Sequence, residues 1–181
     1  MVDPTAPAIP AWLAHRPCVG GVVVPWITPR ASGGRYLFGV VDKTLVERAL
    51  RQRRCGVCGR QLDDRLVLMM RLSDLPHQGS AEPGLHPICA HYTTSACPMI
   101  NGRLSTYRSS PIPLDTGAPC DPASQPSVEQ AARQGARAEP WFAVWLSDYH
   151  LAEIAGHLAA SYAGTRPLRI RPVTWRSLPL W

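Results

Sequence analysis

The stretch "RRCGVCGRQL" places Cys55 and Cys58 two residues apart, with Gly56 and Gly59 in and after the turn between them. Thiols at that spacing converge on a metal ion or cycle a disulfide. The second half of the pattern lies in "GLHPICAHYTTSACP", where His86 and Cys89 are again separated by two residues, so the four read C-x2-C-x27-H-x2-C. A tetrahedral Zn2+ uses such soft and borderline donors. The glycine-bearing turn lets two thiolates converge, and residues three apart in the first turn of a helix share a face. A helix N-terminus also carries partial positive charge, which favours Cys89 as thiolate. Cys55, Cys58, His86 and Cys89 are therefore the expected metal ligands, and four protein ligands make a structural site with no position for an activated water.

A thioredoxin-like redox pair is the competing reading, but it would follow a strand and open a helix, whereas here a helical pattern precedes the cysteines. Cys97 in place of His86 would give an all-cysteine site, and His91 in that place would keep one imidazole, so both stay open as substitutes. Cys18 and Cys120 stand alone and read as small buried thiols.

Other residues carry weaker signals. His150, Glu153 and His157 fall on one flank of a predicted C-terminal helix, either as a metal or acid/base trio or as the polar face beside its apolar stripe. Arg53, Arg54, Arg60, Arg103 and Arg108 surround the cysteine module, interleaved with Tyr92 and Tyr107. Phosphate pairing and base stacking use such residues, and so does a solvated basic face. Of six tryptophans, Trp26, Trp141 and Trp145 lie in predicted strands and are expected in the core, while Trp12, Trp175 and Trp181 lie near the termini, where they would cover a partner or the domain's own edge. No Gly-rich phosphate loop, G-x-S-x-G elbow or H-E-x-x-H occurs, so no catalytic residue and no small-molecule substrate is assigned.

The elements that must position these residues follow from pattern. "CVGGVVVPWI" and "RYLFGVV" are β-branched and aromatic runs joined by "TPRASGG", which predicts a hairpin. "DKTLVERALRQRR" predicts a helix that delivers the chain to Cys55, with Thr44 and Glu47 at capping-box spacing and basic residues in its last turn. "RLVLMMRL" predicts a buried strand, "SDLPHQGSAEPG" a loop, and "HPICAHYTTSA" a short helix with Pro87 in its first turn. "WFAVWL", "SDYHLAEIAGHLAASYAG" and "LRIRPVTW" predict a strand, a helix capped by Ser147 and ended by Gly164, and a second strand, a unit expected to pack on the N-terminal hairpin.

The chain thus divides into an extended arm at 1–17, a hairpin, helix and zinc-binding module at 18–107, a Pro-rich linker or long loop at 108–140 with six prolines, and the strand-helix-strand unit at 141–181. A length of 181 residues with 45% apolar content permits a sizeable core. The net charge of +6 points to a polyanionic partner, but Lys43 is the only lysine and Asn101 the only asparagine, a bias that a GC-rich genome also produces. No signal-peptide pattern and no run of 18 apolar residues occurs, so a cytoplasmic protein with reduced thiols and no membrane partner is expected.

A knuckle followed by a strand pair and a helix that donates the last two ligands resembles a treble-clef zinc finger, over about residues 54–97. The wider string "RYLFGVV … CGVCGRQL … LVLMMRLSDLP … EPGLHPICAHY … ACPMINGR" resembles a group of zinc-finger-containing proteins of actinobacteria and their phages, over roughly residues 25–108. Treble clefs serve nucleases, ribosomal proteins and protein-binding modules alike, so the likeness implies a fold and a Zn2+ site rather than an activity. HNH nucleases, one treble-clef group, carry an Asp-His pair at the end of the strand after the knuckle, the histidine acting as general base. Met70 and Arg71 stand there in this chain, with Asp74 and His77 a few residues later, so such a nuclease would need His77 or His91 as its base. The expectation is an α+β domain, a small mixed sheet with helices around a treble-clef-like structural zinc site. Its expected function is a non-enzymatic binding, adaptor or regulatory module for a protein or nucleic-acid partner, with a metal-dependent, HNH-like nuclease as the alternative.

Overall fold

Leu66–Arg71 form strand β4, and all six side chains are buried. A run with no polar face suits a strand covered on both sides. The computed structural model describes residues 7–31, 33–109, 112–113 and 133–173. In it, β4 pairs along its full length with β7 (Trp141–Leu146), Leu66 opposite Leu146 and Arg71 opposite Trp141. The far edge of β7 takes β10 (Arg169–Pro172), so the sheet order is β10-β7-β4. The other edge of β4 is used once, where Val67 and Leu85 exchange two backbone hydrogen bonds of 2.9 Å. Leu66, Leu68, Met70, Val144 and Leu146 are almost fully buried. Each such side chain contributes about 1.5–3 kcal/mol over its exposed state, which makes the β4–β7 pair the centre of the apolar core.

The architecture is α+β, but its sheets are four small antiparallel ones among the described residues rather than one mixed sheet. The first apolar run does not pair with the second as expected. Gly20 and Gly21, both at positive φ, fold it back on itself, so that β1 (Cys18–Val19) pairs with β2 (Val22–Val23). The second run turns back on the connector instead, where Arg30 bridges Tyr36 and the Leu37 amide donates to the Pro29 carbonyl at 3.0 Å, while β3 (Leu37–Phe38) pairs with β6 (Ile112–Pro113). Helix α1 (Lys43–Arg51) forms as read, but its cap is Asp42, whose carboxylate accepts from the Leu45 amide at 3.0 Å, and not Thr44. Ala49 and Leu50 supply its buried face.

The stretch read as a loop after β4 contains a 3-10 helix, Leu72–His77, and a short strand β5 (Gly79–Ser80). The largest correction concerns the predicted C-terminal helix. Residues 150–161 form a hairpin, β8 (His150–Ile154) and β9 (His157–Ser161), in which Ile154 faces His157 across a two-residue turn. Ala155 and Gly156 have φ of 51° and 78°, the left-handed pair that a tight hairpin turn needs. β9 in turn pairs with β5, in the order β5-β9-β8, and this long-range ladder overrides the helical spacing of Leu151, Ile154 and Leu158. The strand partner of the C-terminal segment is thus β4, through β7, rather than the N-terminal hairpin.

The arm at the N-terminus is tied down: Ala11–Leu13 make a 3-10 turn and Leu13 is fully buried. Most of the Pro-rich segment, including Pro111, Pro119, Pro122 and Pro126, lies outside the described residues, as do Cys120, Trp175 and Trp181. No helix among the described residues is long and apolar enough to cross a membrane.

Candidate metal centre

The residues after α1 make a knuckle. Arg53 adopts φ 51°, Arg54 and Gln61 form an antiparallel bridge, and the amide of Cys55 donates to the Arg60 carbonyl at 2.8 Å. The Gly59 amide closes the turn by donating to the Cys55 carbonyl at 2.9 Å. Gly59 sits at φ 76°, and a Cβ there would lie 2.6 Å from Cδ1 of Trp26, so conformation and space both demand glycine. Trp26 is half-buried in a turn rather than a strand, and its amide donates to the Val57 carbonyl.

The other two residues are placed by β4. The Val67–Leu85 bridge sets the chain immediately before His86, which is the N-cap of helix α2 (Pro87–Ala96); Pro87 occupies the first turn and Cys89 follows on the buried face. The result brings Cys55, Cys58, His86 and Cys89 together, all buried, with one ligand-type atom of each within 4.8 Å of the others. Among the described residues this is the one His/Cys/Asp/Glu group able to hold a metal ion. Cys97 and His91, the possible substitutes, lie outside it; burial pushes the Cys97 thiol up, and His91 is exposed. The described cysteines are free thiols, so the Cys55–Cys58 pair is not a disulfide.

The hydrogen bonds around His86 define which nitrogen faces the sulfurs. Nε2 lies 2.8 Å from the Gln61 carbonyl, which can only accept, so Nε2 carries the proton and Nδ1, 3.3 Å from Cys58 Sγ, presents its lone pair to the cluster. Hydrogen bonds to Cys55 and Cys89 hold the Cys58 thiol far below its ordinary range, while hydrogen bonds to Cys55 and Cys58 push Cys89 up, against the thiolate expected at a helix start. Hydrogen bonding to Cys55 and Cys58 lifts His86 to about 10. Negative charge thus rests on the buried Cys58 sulfur and calls for a cation beside it, a proton on His86 or a metal ion in its stead.

A layer over this cluster comes from the N-terminal arm. The Trp12 ring meets His86 edge-on at 5.5 Å, and Arg60 stands 4.3 Å over Trp12. Arg60 donates to Nδ1 of His15 at 3.3 Å, which leaves His15 Nε2 to donate to the Cys58 carbonyl at 3.0 Å. Trp12, expected to cover a partner or the domain's own edge, covers this cluster, whereas His15 and Gln61 carried no signal in the sequence, and Gln61 acts through its backbone.

The arginines divide. Arg53 binds Asp148, donates to the Tyr149 carbonyl and stacks on the Tyr149 ring, docking the knuckle onto the segment before β8. Arg54 donates to Gln52 and to the Gly59 carbonyl, and so braces the turn. Arg103 and Arg108 are exposed. Tyr92 is buried, its hydroxyl accepting from the Val23 amide at 2.9 Å, and so offers no stacking face.

The trio His150, Glu153 and His157 is not brought together. His150 and His157 share a face at opposite ends of the β8–β9 hairpin, and Glu153 points to the other face, because side chains alternate along a strand. Asp74, considered for a nuclease site, is held bidentately by Arg71 at 2.7 and 2.8 Å, and His77 is exposed at the end of its 3-10 helix. Comparison with protein-family models finds no match, and searches of curated proteins and of solved structures find no significant match to the chain.

Proposed function

We propose that the Cys55, Cys58, His86 and Cys89 group holds one Zn2+ as a structural, treble-clef-like centre, and that the protein is a non-enzymatic binding or adaptor module for a macromolecular partner. The observation that carries the reading is the buried three-sulfur, one-imidazole cluster with Nδ1 of His86 turned inward. Tetrahedral zinc with bonds of about 2.3 Å to sulfur and 2.0–2.1 Å to nitrogen sets S···N edges near 3.6 Å and S···S edges near 3.8 Å. The 3.3 Å Cys58–His86 separation lies close to the first of these, and the atoms of the whole group, within 4.8 Å of one another, need draw together by at most about 1 Å to reach the second. Four protein donors fill the tetrahedron, and the Gln61 carbonyl orients the imidazole as an outer-shell partner does in zinc sites. The ion would hold the knuckle, the end of the Leu85 bridge and the start of α2 in one arrangement and perform no chemistry.

Metal analysis of freshly purified protein tests this: one equivalent of zinc is expected, and less than about half an equivalent overturns it. The partner class is read from gel shifts on mixed DNA and RNA. A shift that weakens steeply with salt, and with Arg103→Ala and Arg108→Ala, assigns nucleic acid; no shift at low salt assigns a protein.

A further inference from the structure

A cavity of about 430 Å3 opens between the end of the N-terminal arm, the turn at Trp26 and the start of α1. That size lies in the range of small-ligand sites. Two guanidiniums, Arg16 and Arg30, border it against a single carboxylate, Asp42. Arg16 spends Nε and Nη2 on the Val24 carbonyl, at 3.2 and 3.1 Å, which fixes the plane of the group while leaving it further N–H donors. Burial lowers the pKa of Arg16, and the charge of Arg30 acts in the same direction, so the two cations sit near enough to repel. Arg30 is held over the Tyr36 ring at 4.8 Å and donates to its hydroxyl. An anion between these guanidiniums would relieve their repulsion.

Thr28 lines the cavity and is only 7% exposed, so its hydroxyl adds a polar group to the wall. Trp26 also lines the cavity and adds an aromatic surface that inorganic phosphate alone would not use. Asp42 commits its Oδ1 to the α1 cap, and its second oxygen remains an acceptor suited to a sugar hydroxyl.

We propose that this cavity binds a nucleoside 5′-phosphate, free or at the 5′ end of a strand, with Arg16 and Arg30 on the phosphate, Trp26 against the base and Asp42 at the ribose. The site goes beyond the zinc-centred reading and stands on other residues, so metal content and nucleotide binding are measured separately.

The test is calorimetric titration of the metal-replete protein with AMP, GMP, CMP and UMP, with adenosine and inorganic phosphate, and with dinucleotides carrying a 5′-phosphate or a 5′-hydroxyl. At least one mononucleotide is expected to bind about tenfold more tightly than adenosine or phosphate alone. Arg30→Gln, at an exposed position, and the isosteric Thr28→Val are each expected to weaken it several-fold with thermal unfolding unchanged, while Arg169→Gln on β10 leaves it unaltered. Tighter binding of the 5′-phosphorylated dinucleotide than of any mononucleotide assigns the strand end as the source. Absence of binding by both kinds of ligand at roughly 10 mM, or binding that Arg30→Gln and Thr28→Val leave intact, overturns the proposal.

Discussion

The ring of His86 is pinned by the backbone of Gln61: Nε2 donates to that carbonyl at 2.8 Å, which turns Nδ1 toward the sulfur of Cys58. The tautomer is therefore set by a residue whose side-chain identity is irrelevant. Long-range 1H–15N correlation spectra of the zinc-loaded protein are expected to show His86 protonated at Nε2 only. A proton on Nδ1 would contradict the geometry.

Removal of metal is expected to unfold more than the knuckle. Cys55 and Cys89 are fully buried within the same core cluster as Leu66, Leu68 and Leu146, and the two ligand pairs come from segments far apart in the chain. A chelator, or Cys89→Ser, should lower the unfolding midpoint by roughly 10 °C or more and abolish near-ultraviolet circular dichroism. Retention of the native signal without metal would show that packing alone holds the cluster.

Gly59→Ala is expected to cost about 2–3 kcal/mol, from the left-handed φ together with the overlap on Trp26. Denaturant unfolding measures it. Trp26→Phe in the same background should recover part of the loss, because the smaller ring removes part of the overlap but not the backbone strain.

Gly156→Ala distinguishes hairpin from helix by its sign. At φ 78° with nothing near the added methyl, the substitution is expected to destabilise by about 1 kcal/mol, whereas in a helix it would stabilise by about 0.5–1 kcal/mol. Ala155→Asn, at φ 51°, should stabilise by a few tenths of a kcal/mol, since asparagine tolerates that conformation best after glycine. Thermal midpoints of the two variants moving in opposite directions would support the β8–β9 turn.

Alkaline pH should destabilise the protein through its buried tyrosines. Burial raises the pKa of Tyr149, whose hydroxyl donates to the Leu50 carbonyl at 2.8 Å, and burial likewise raises Tyr92 and Tyr162. A folded-state pKa above the unfolded value near 10 means the unfolded chain loses its proton first. The contribution is intact below pH 10 and falls above it, by at most about 1.4 kcal/mol per pH unit for each tyrosine. Tyr149→Phe should lower stability at pH 7 by about 1 kcal/mol and flatten the alkaline limb.

The metal cluster was legible because its signal is local. Two C-x2-C-like spacings, a glycine turn and a proline at a helix start constrain their own neighbourhoods, and "RLVLMMRL" has the length and unbroken apolar run of a strand buried on both faces. The C-terminal segment was misread because Leu151, Ile154 and Leu158 satisfy a helical period as well as a strand, and the arbiter, pairing of β9 with Gly79 and Ser80, lies some 80 residues away in sequence. The cavity joins Arg16 to Trp26, Thr28 and Arg30, which alternate along one short stretch, and their spacing does not show that the chain folds them around a common space.

From its sequence alone this chain determined the two pairs Cys55/Cys58 and His86/Cys89 that meet in the cluster, the helix that carries Cys89 and the buried strand β4, since each pair or element depends on residues within a turn or two of one another. The tertiary structure decided the rest. The left-handed turn at Ala155 and Gly156, the orientation of His86 by Gln61, the cover of Trp12 and His15, and the diversion of Arg53 and Arg54 to internal contacts all depend on groups that only folding brings within hydrogen-bond or van der Waals range. Short-range forces act on neighbours in space, and spacing in sequence reports those neighbours only within a single element.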